Sequence, residues 1–343
     1  MEHQDKGSKA FDETLEDALA LLRKGELASA SELGERLLKG DEKNPSLHQL
    51  AATIALAQGE GETAVKAAAR SLALRPDHTP TLLLGGHAAR SARRLPDALA
   101  YFQRALARSP ERPEASFMTC IVLLELGSKE AQGMLAHCLE AFPNDSAGWR
   151  AIGDALDKRG QTEAALAAFS RANRAAPSVE LSMRRGALLN ALGRVAEAIE
   201  AFREAQALQA DNFDAAMQLA LAYRRLGDFE TARQTVERAV TLDPGSAKGW
   251  FALGLVAEKQ RDWSASIAAY RRALAVQPDL AEAAVNLGIV LQESGDLTAA
   301  RQAYCNALNI RPDTFGRIAQ ALSAAPTGEL WLDLQSLRRS LAA

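Results

Sequence analysis

The chain has 343 residues and a mass of 36.7 kDa, enough for two ordinary domains or one extended array. Alanine supplies about a fifth of it, aromatic residues 5%, and the formal net charge is −3 with a sequence pI near 6.0. This balance favours helices and excludes a chain-wide cationic coat for nucleic acid or anionic lipid; with 48% hydrophobic residues, wholesale disorder is excluded too.

Taken from the start, Met1 to Phe11 is charged and polar, with no apolar stretch behind it. It does not read as a leader peptide. Apolar runs such as Cys120–Leu124 are far too short to span a membrane. Three cysteines do not make a disulfide framework, so a cytoplasmic protein without membrane insertion is expected.

Two combs of residues then punctuate the chain. Pro76, Pro110, Pro143, Pro177, Pro244, Pro278 and Pro312 lie one or two steps of about 34 residues apart. Between them fall Gly25, Gly59, Gly127, Gly160, Gly193, Gly227 and Gly295. Each glycine and each proline closes an apolar-periodic stretch of about fourteen residues, which predicts helix, tight turn, helix, loop. The expected units are 11–44, 45–78, 79–112, 113–145, 146–178, 179–212, 213–246, 247–280 and 281–314, with a tail at 1–10 and a cap at 315–343. Unit 11–44 departs most, with Gly34 where a large residue is usual and Glu42 where proline is usual; it is expected to fray or to act as a cap. Unit 113–145 has Cys120 and Cys138 at small-residue positions and lacks one residue in its turn. Unit 146–178 is one residue short near Pro177. The tail after Phe315 reads as a short helix, a turn at Pro326-Thr327-Gly328 and a last helix with Leu334, Leu337 and Leu341 on one side. Trp331 and Leu332 there offer a weaker case for docking onto a partner.

Inside the units the pattern is an aromatic, a Leu-Gly step, a small residue, an aromatic, a small residue and proline. Trp250, Leu253-Gly254, Ser266, Tyr270, Ala273 and Pro278 show it; so do Trp149, Ile152-Gly153, Ala165, Phe169, Ala172 and Pro177. This frame resembles the tetratricopeptide repeat family. The resemblance implies an all-α, right-handed superhelical solenoid of antiparallel helix pairs with a C-terminal capping segment, whose first helices line a concave groove.

No catalytic constellation accompanies the frame. His3, His48, His78, His87 and His137 are scattered without paired-ligand spacing, and no phosphate loop or nucleophile elbow occurs. No cofactor, metal or enzymatic activity is therefore expected. His48 stands in for an aromatic and reads as packing. Cys120 and Cys138 read as small buried hydrophobes, with a redox pair as the lesser alternative. The arginines Arg90, Arg93, Arg94, Arg104, Arg108 and Arg112 read as a solvated face, without interleaved aromatics for base stacking.

Function is then expected on the groove. At its fifth and sixth repeat positions and their neighbours stand Leu50, Leu83, Leu84, His87, Phe117, Met118 and Ile121, followed by Arg150, Arg184, Gln218 and Asn286. Large apolar residues on a solvent-facing surface suggest anchors for a protein or peptide segment, with arginines orienting its carboxylates. The carboxylate clamp of chaperone-binding relatives is missing, and only Asn286 matches the asparagine ladder of O-GlcNAc transferase arrays. The alternatives are a recruiting subunit for a separately encoded enzyme such as a glycosyltransferase, or an array that associates with itself.

Overall fold

The computed structural model describes residues 15–324. The expected tail at 1–10, the turn at Pro326-Thr327-Gly328, the last helix and Trp331-Leu332 lie outside the described residues. Two compact units divide the chain, Met1–Ala176 and Pro177–Ala343. The division falls in the connector before Val179, the loop that the sequence marks as one residue short.

In the first unit, α1 is described over residues 15–24. It is followed by α2 (Leu27–Gly40), α3 (Pro45–Ala57), α4 (Gly61–Leu74), α5 (Thr79–Ser91) and α6 (Leu95–Arg108). Then come α7 (Pro113–Leu126), α8 (Glu130–Ala141), α9 (Ser146–Lys158) and α10 (Thr162–Ala175). The second unit holds α11 (Val179–Ala191), α12 (Val195–Leu208), α13 (Phe213–Leu226), α14 (Phe229–Leu242) and α15 (Ala247–Lys259). It continues with α16 (Trp263–Val276), α17 (Ala281–Glu293), α18 (Leu297–Ile310), a 3-10 turn at Pro312–Thr314 and α19 (Phe315–Ala324). Each unit is a stretch of all-α, right-handed solenoid in which an odd-numbered helix pairs with the even-numbered one after it; α19 packs on α17. Among the described residues there is no strand.

The punctuation acts through the backbone. All seven comb glycines sit in the left-handed region, with φ between +69° and +92°, closing the turn between the helices of a pair. In two turns an arginine takes that conformation instead, Arg93 at φ 61° and Arg261 at φ 58°. A residue with a side chain there costs about 1 kcal/mol. Every comb proline lies two residues beyond a second helix, where no further ladder N–H is needed. First helices begin on Asn44, Asp145, Ser178, Asn212 and Ser246, whose side chains accept a hydrogen bond from a first-turn N–H. In three repeats a ring at the fourth position ties the first helix to the preceding loop. Trp149 Nε1 donates to the Phe142 carbonyl (3.0 Å) and Trp250 Nε1 to that of Pro244 (2.9 Å). His48 Nε2 makes the same bond to Glu42 (2.7 Å) and is 6% exposed, so it is packing, as its position suggests.

In five helix pairs the spacing is set by a ring lying on a glycine. Phe102, Phe169, Phe202, Tyr270 and Tyr304, all 0% exposed, cover Gly86, Gly153, Gly186, Gly254 and Gly288 of their own first helices. Each ring thus fills the space within its own helix pair. A Cβ on Gly254 would fall 2.5 Å from the Tyr270 ring, and one on Gly153 2.8 Å from that of Phe169. These rings cannot retreat from a packed interior. Gly254→Ala is therefore expected to destabilise the chain by roughly 1–3 kcal/mol in denaturant titration. Gly40→Ala, where nothing lies within 4 Å, should change little, and equal effects at the two sites would contradict this packing.

Candidate functional site

The residues read from the sequence as groove-lining separate into two groups. Leu84, His87 and Arg184 are half-buried, and Arg150 and Gln218 are exposed. Leu50 (3%), Leu83 (4%), Phe117 (2%), Met118 (8%), Ile121 (2%) and Asn286 (7%) are buried, which corrects the expectation that solvent reaches them. The cause is packing between successive first helices. The Phe117 ring lies on the backbone of Gly148 and meets Trp149 edge-on, with ring centroids 5.6 Å apart. Leu50 belongs with Ile54, Ala18 and Ala30 to the core at the start of the first unit. Helix α7 buries every residue from Ala115 to Leu123.

Asn286 has a different reason. Its Nδ2 donates to the Tyr270 hydroxyl (3.4 Å), and its Oδ1 accepts from Arg317 of α19 (3.0 Å). Nearby, Gln292 Nε2 donates to the Ala321 carbonyl (3.0 Å), one of the last-turn acceptors that α19 cannot satisfy itself. Gln292 Oε1 accepts from the Tyr304 hydroxyl (3.1 Å), and Tyr270 donates to Glu258 (2.8 Å). Burial first, and for Tyr270 the adjacent Glu258, push both phenols above their ordinary range. These amides fasten α19 rather than forming a ladder for a bound chain.

In the first unit, α5 and α7 are joined at their outer edge. His87 stacks edge-on with Phe102 (5.3 Å between centroids), and its Nε2 lies 3.0 Å from Glu114 Oε1. Arg90 grips Glu125, Nε donating to Oε2 (3.0 Å) and Nη2 to Oε1 (2.7 Å), a bidentate pair. Other arginines of the basic cluster are also engaged: Arg94 with Asp97 and Glu62, Arg108 with Asp77, and Arg104 with the Pro76 carbonyl. Arg90, Arg94 and Arg108 of the cluster are thus ion-paired.

Two grooves open where the ring-on-glycine contact is missing. One, of about 430 Å³, runs between α2 and α4 over α3, beside Gly34, Leu38, Ile54 and Arg70. The other, of about 300 Å³, lies between α8 and α10 over α9, lined by Leu135, Leu139, Trp149, Ile152, Ala168 and Arg171. Arg171 stands over the Trp149 ring at 5.2 Å. Neither was foreseen as a cleft, although Gly34 and the shortened unit 113–145 mark both in the sequence. Among the described residues no three His, Cys, Asp or Glu side chains gather into a metal-holding group, and no helix is long and apolar enough to cross a membrane.

A solenoid of helix pairs with side chains displayed on its first helices belongs to the helical-repeat class. The chain is a member of the tetratricopeptide repeat family, whose profile matches residues 83–146, 128–180, 150–215, 184–247 and 251–313. At that level it is a protein-interaction scaffold. It is similar to DnaJ homolog subfamily C member 3 of Rattus norvegicus, 28% identical over 230 residues, and to that of Mus musculus at 27%. Those alignments cover 67% of this chain and 42% of either relative, so the chain spans less than half of their length. Among solved structures, MamA gives a TM-score of 0.47 at 22% identity, covering 49% of this chain and 93% of that one. YrrB, described as a TPR protein with an unusual peptide-binding site, gives 0.45 at 20% identity, with 52% and 92% covered.

The His87–Glu114 contact carries a pH signature. The hydrogen bond from His87 holds the Glu114 carboxyl below its ordinary value of 4.5, against an opposing effect of burial. A depressed carboxyl stabilises the fold above its unfolded-state pKa and loses that contribution as pH falls through the folded-state value. The melting-temperature advantage of wild type over Glu114→Gln should therefore hold at neutral pH and shrink below about pH 4.5. An advantage undiminished at about pH 3 would contradict the assignment.

Proposed function

We propose that the chain is a non-catalytic, cytoplasmic scaffold that holds a segment of another protein against its first-helix faces. The observation that carries the reading is a row of half-buried apolar side chains, Met183, Leu221, Phe251 and Leu255, along consecutive first helices of the second unit. Apolar surface left open in this way, beside the exposed Gln218 and half-buried Arg184, suits an amphipathic segment with leucine-like anchors and carboxylates. In the first unit Leu84, His87 and Arg150 offer the same combination. Leu50, Leu83, Phe117, Met118, Ile121 and Asn286 then support the surface from beneath. The repeat boundaries read from the sequence, with nine repeats over 11–314 and a cap over 315–343, belong to the same proposal.

The test is affinity purification of the full chain from its native host, comparing wild type with Leu221→Glu/Leu255→Glu and with Leu84→Glu/Arg150→Glu. A specific co-eluting protein should fall at least roughly tenfold in one of the doubles while circular dichroism stays helical. Undiminished recovery with both doubles would overturn the reading.

A further inference from the structure

The two thiols of the shortened repeat stand apart from everything the scaffold uses. Cys120 on α7 and Cys138 on α8 are both 0% exposed. They occupy the two positions that carry Gly153 and Ala172 in the next repeat, and Gly254 and Ala273 further on. Both small residues are thus replaced together, in a chain with only three cysteines. Cys120 Sγ lies 3.9 Å from the Ala131 carbonyl on α8, and the Cys138 thiol is near enough to perturb it. The neighbouring Cys138 thiol and burial push the Cys120 thiol well above its ordinary range, so Cys120 is unreactive while the repeat is closed.

Helix α8 is also weakly held. It is 12 residues long, against 14 for α6 and α10, and buries only Ala131 and Cys138. Where Phe169 seals the next repeat, Leu135 is half-buried beside the open groove over α9. A helix with so few buried contacts opens at lower free energy than its neighbours. Opening it exposes the cysteines as a pair.

We propose that Cys120 and Cys138 form a reversible disulfide that staples α8 to α7 when the chain meets a small-molecule disulfide oxidant. In the opened repeat one cysteine thiolate attacks a sulfur of the oxidant and releases a thiolate. The second cysteine thiolate attacks the protein sulfur of the mixed disulfide and releases the other. Two protein S–H bonds and the oxidant's S–S bond are broken, one protein S–S bond forms, and the two protons pass to the released thiolates, leaving the oxidant as two thiols. Cys305, half-buried on α18, has no such neighbour among the described cysteines and stays reduced.

The full chain incubated in oxidised glutathione, then denatured and assayed for free thiols and peptide linkage, tests this. Two of three thiols should be lost to a Cys120–Cys138 link. Cys138→Ala and Cys120→Ala, which restore the alanines that Ala172 and Ala220 supply in other repeats, should fold and form no link. Amide exchange in α8 should slow on the order of a hundredfold on oxidation and recover with dithiothreitol. Glutathione adducts in place of the link, three free thiols after oxidation, or a link that leaves α8 exchange unchanged would each overturn the proposal.

Discussion

The structure depends on a ring resting on a glycine. Where Phe102, Phe169, Phe202, Tyr270 or Tyr304 lies on the bare backbone of the facing first helix, a pair closes to a fixed spacing with that ring fully buried. The contact is unforgiving in both directions: a methyl group added to the glycine collides, and a smaller residue in place of the ring leaves a void. Each pair needs its neighbours to cover its remaining apolar face, so a rigid pair also sets the platform on which the next one stacks.

The exceptions follow from the same contact. In the first pair Gly34 stands where a ring would lie, and a groove opens between α2 and α4. In the fourth, Leu135 and Cys120 replace ring and glycine, α8 is short, and the second groove opens. Two further pairs, α3 with α4 and α13 with α14, also lack ring and glycine, but Ala52 with Ala68 and Ala220 with Val236 are buried in their places. The scaffold's binding surface and its weakest helix are separate consequences of one packing rule, kept or broken.

Much of this was legible in the sequence because it is local. A glycine that must take positive φ, a proline that ends a helix and a small residue that permits close approach act within a few residues of themselves, so their spacing reveals the elements. What was not legible is what depends on a neighbour. Phe117 looks like a groove anchor until Gly148, on the next first helix, receives its ring. Asn286 looks like a ladder residue until α19 docks and Arg317 takes its carbonyl oxygen. Arg93 and Arg261 carry no sequence sign that they take the place of comb glycines, since their backbone is imposed by the helices on either side. Of the anticipated surface, the exposed Arg150 and Gln218 and half-buried Leu84, His87 and Arg184 remain displayed.

Native-state hydrogen exchange, resolved helix by helix on the reduced chain, tests the packing rule most directly. If the ring-on-glycine contact governs stability, amides of α10, α12 and α16 will be strongly protected within their units, and α8 will exchange fastest among the internal second helices. Protection in α8 equal to or above that of α10, despite its missing ring, would contradict the rule.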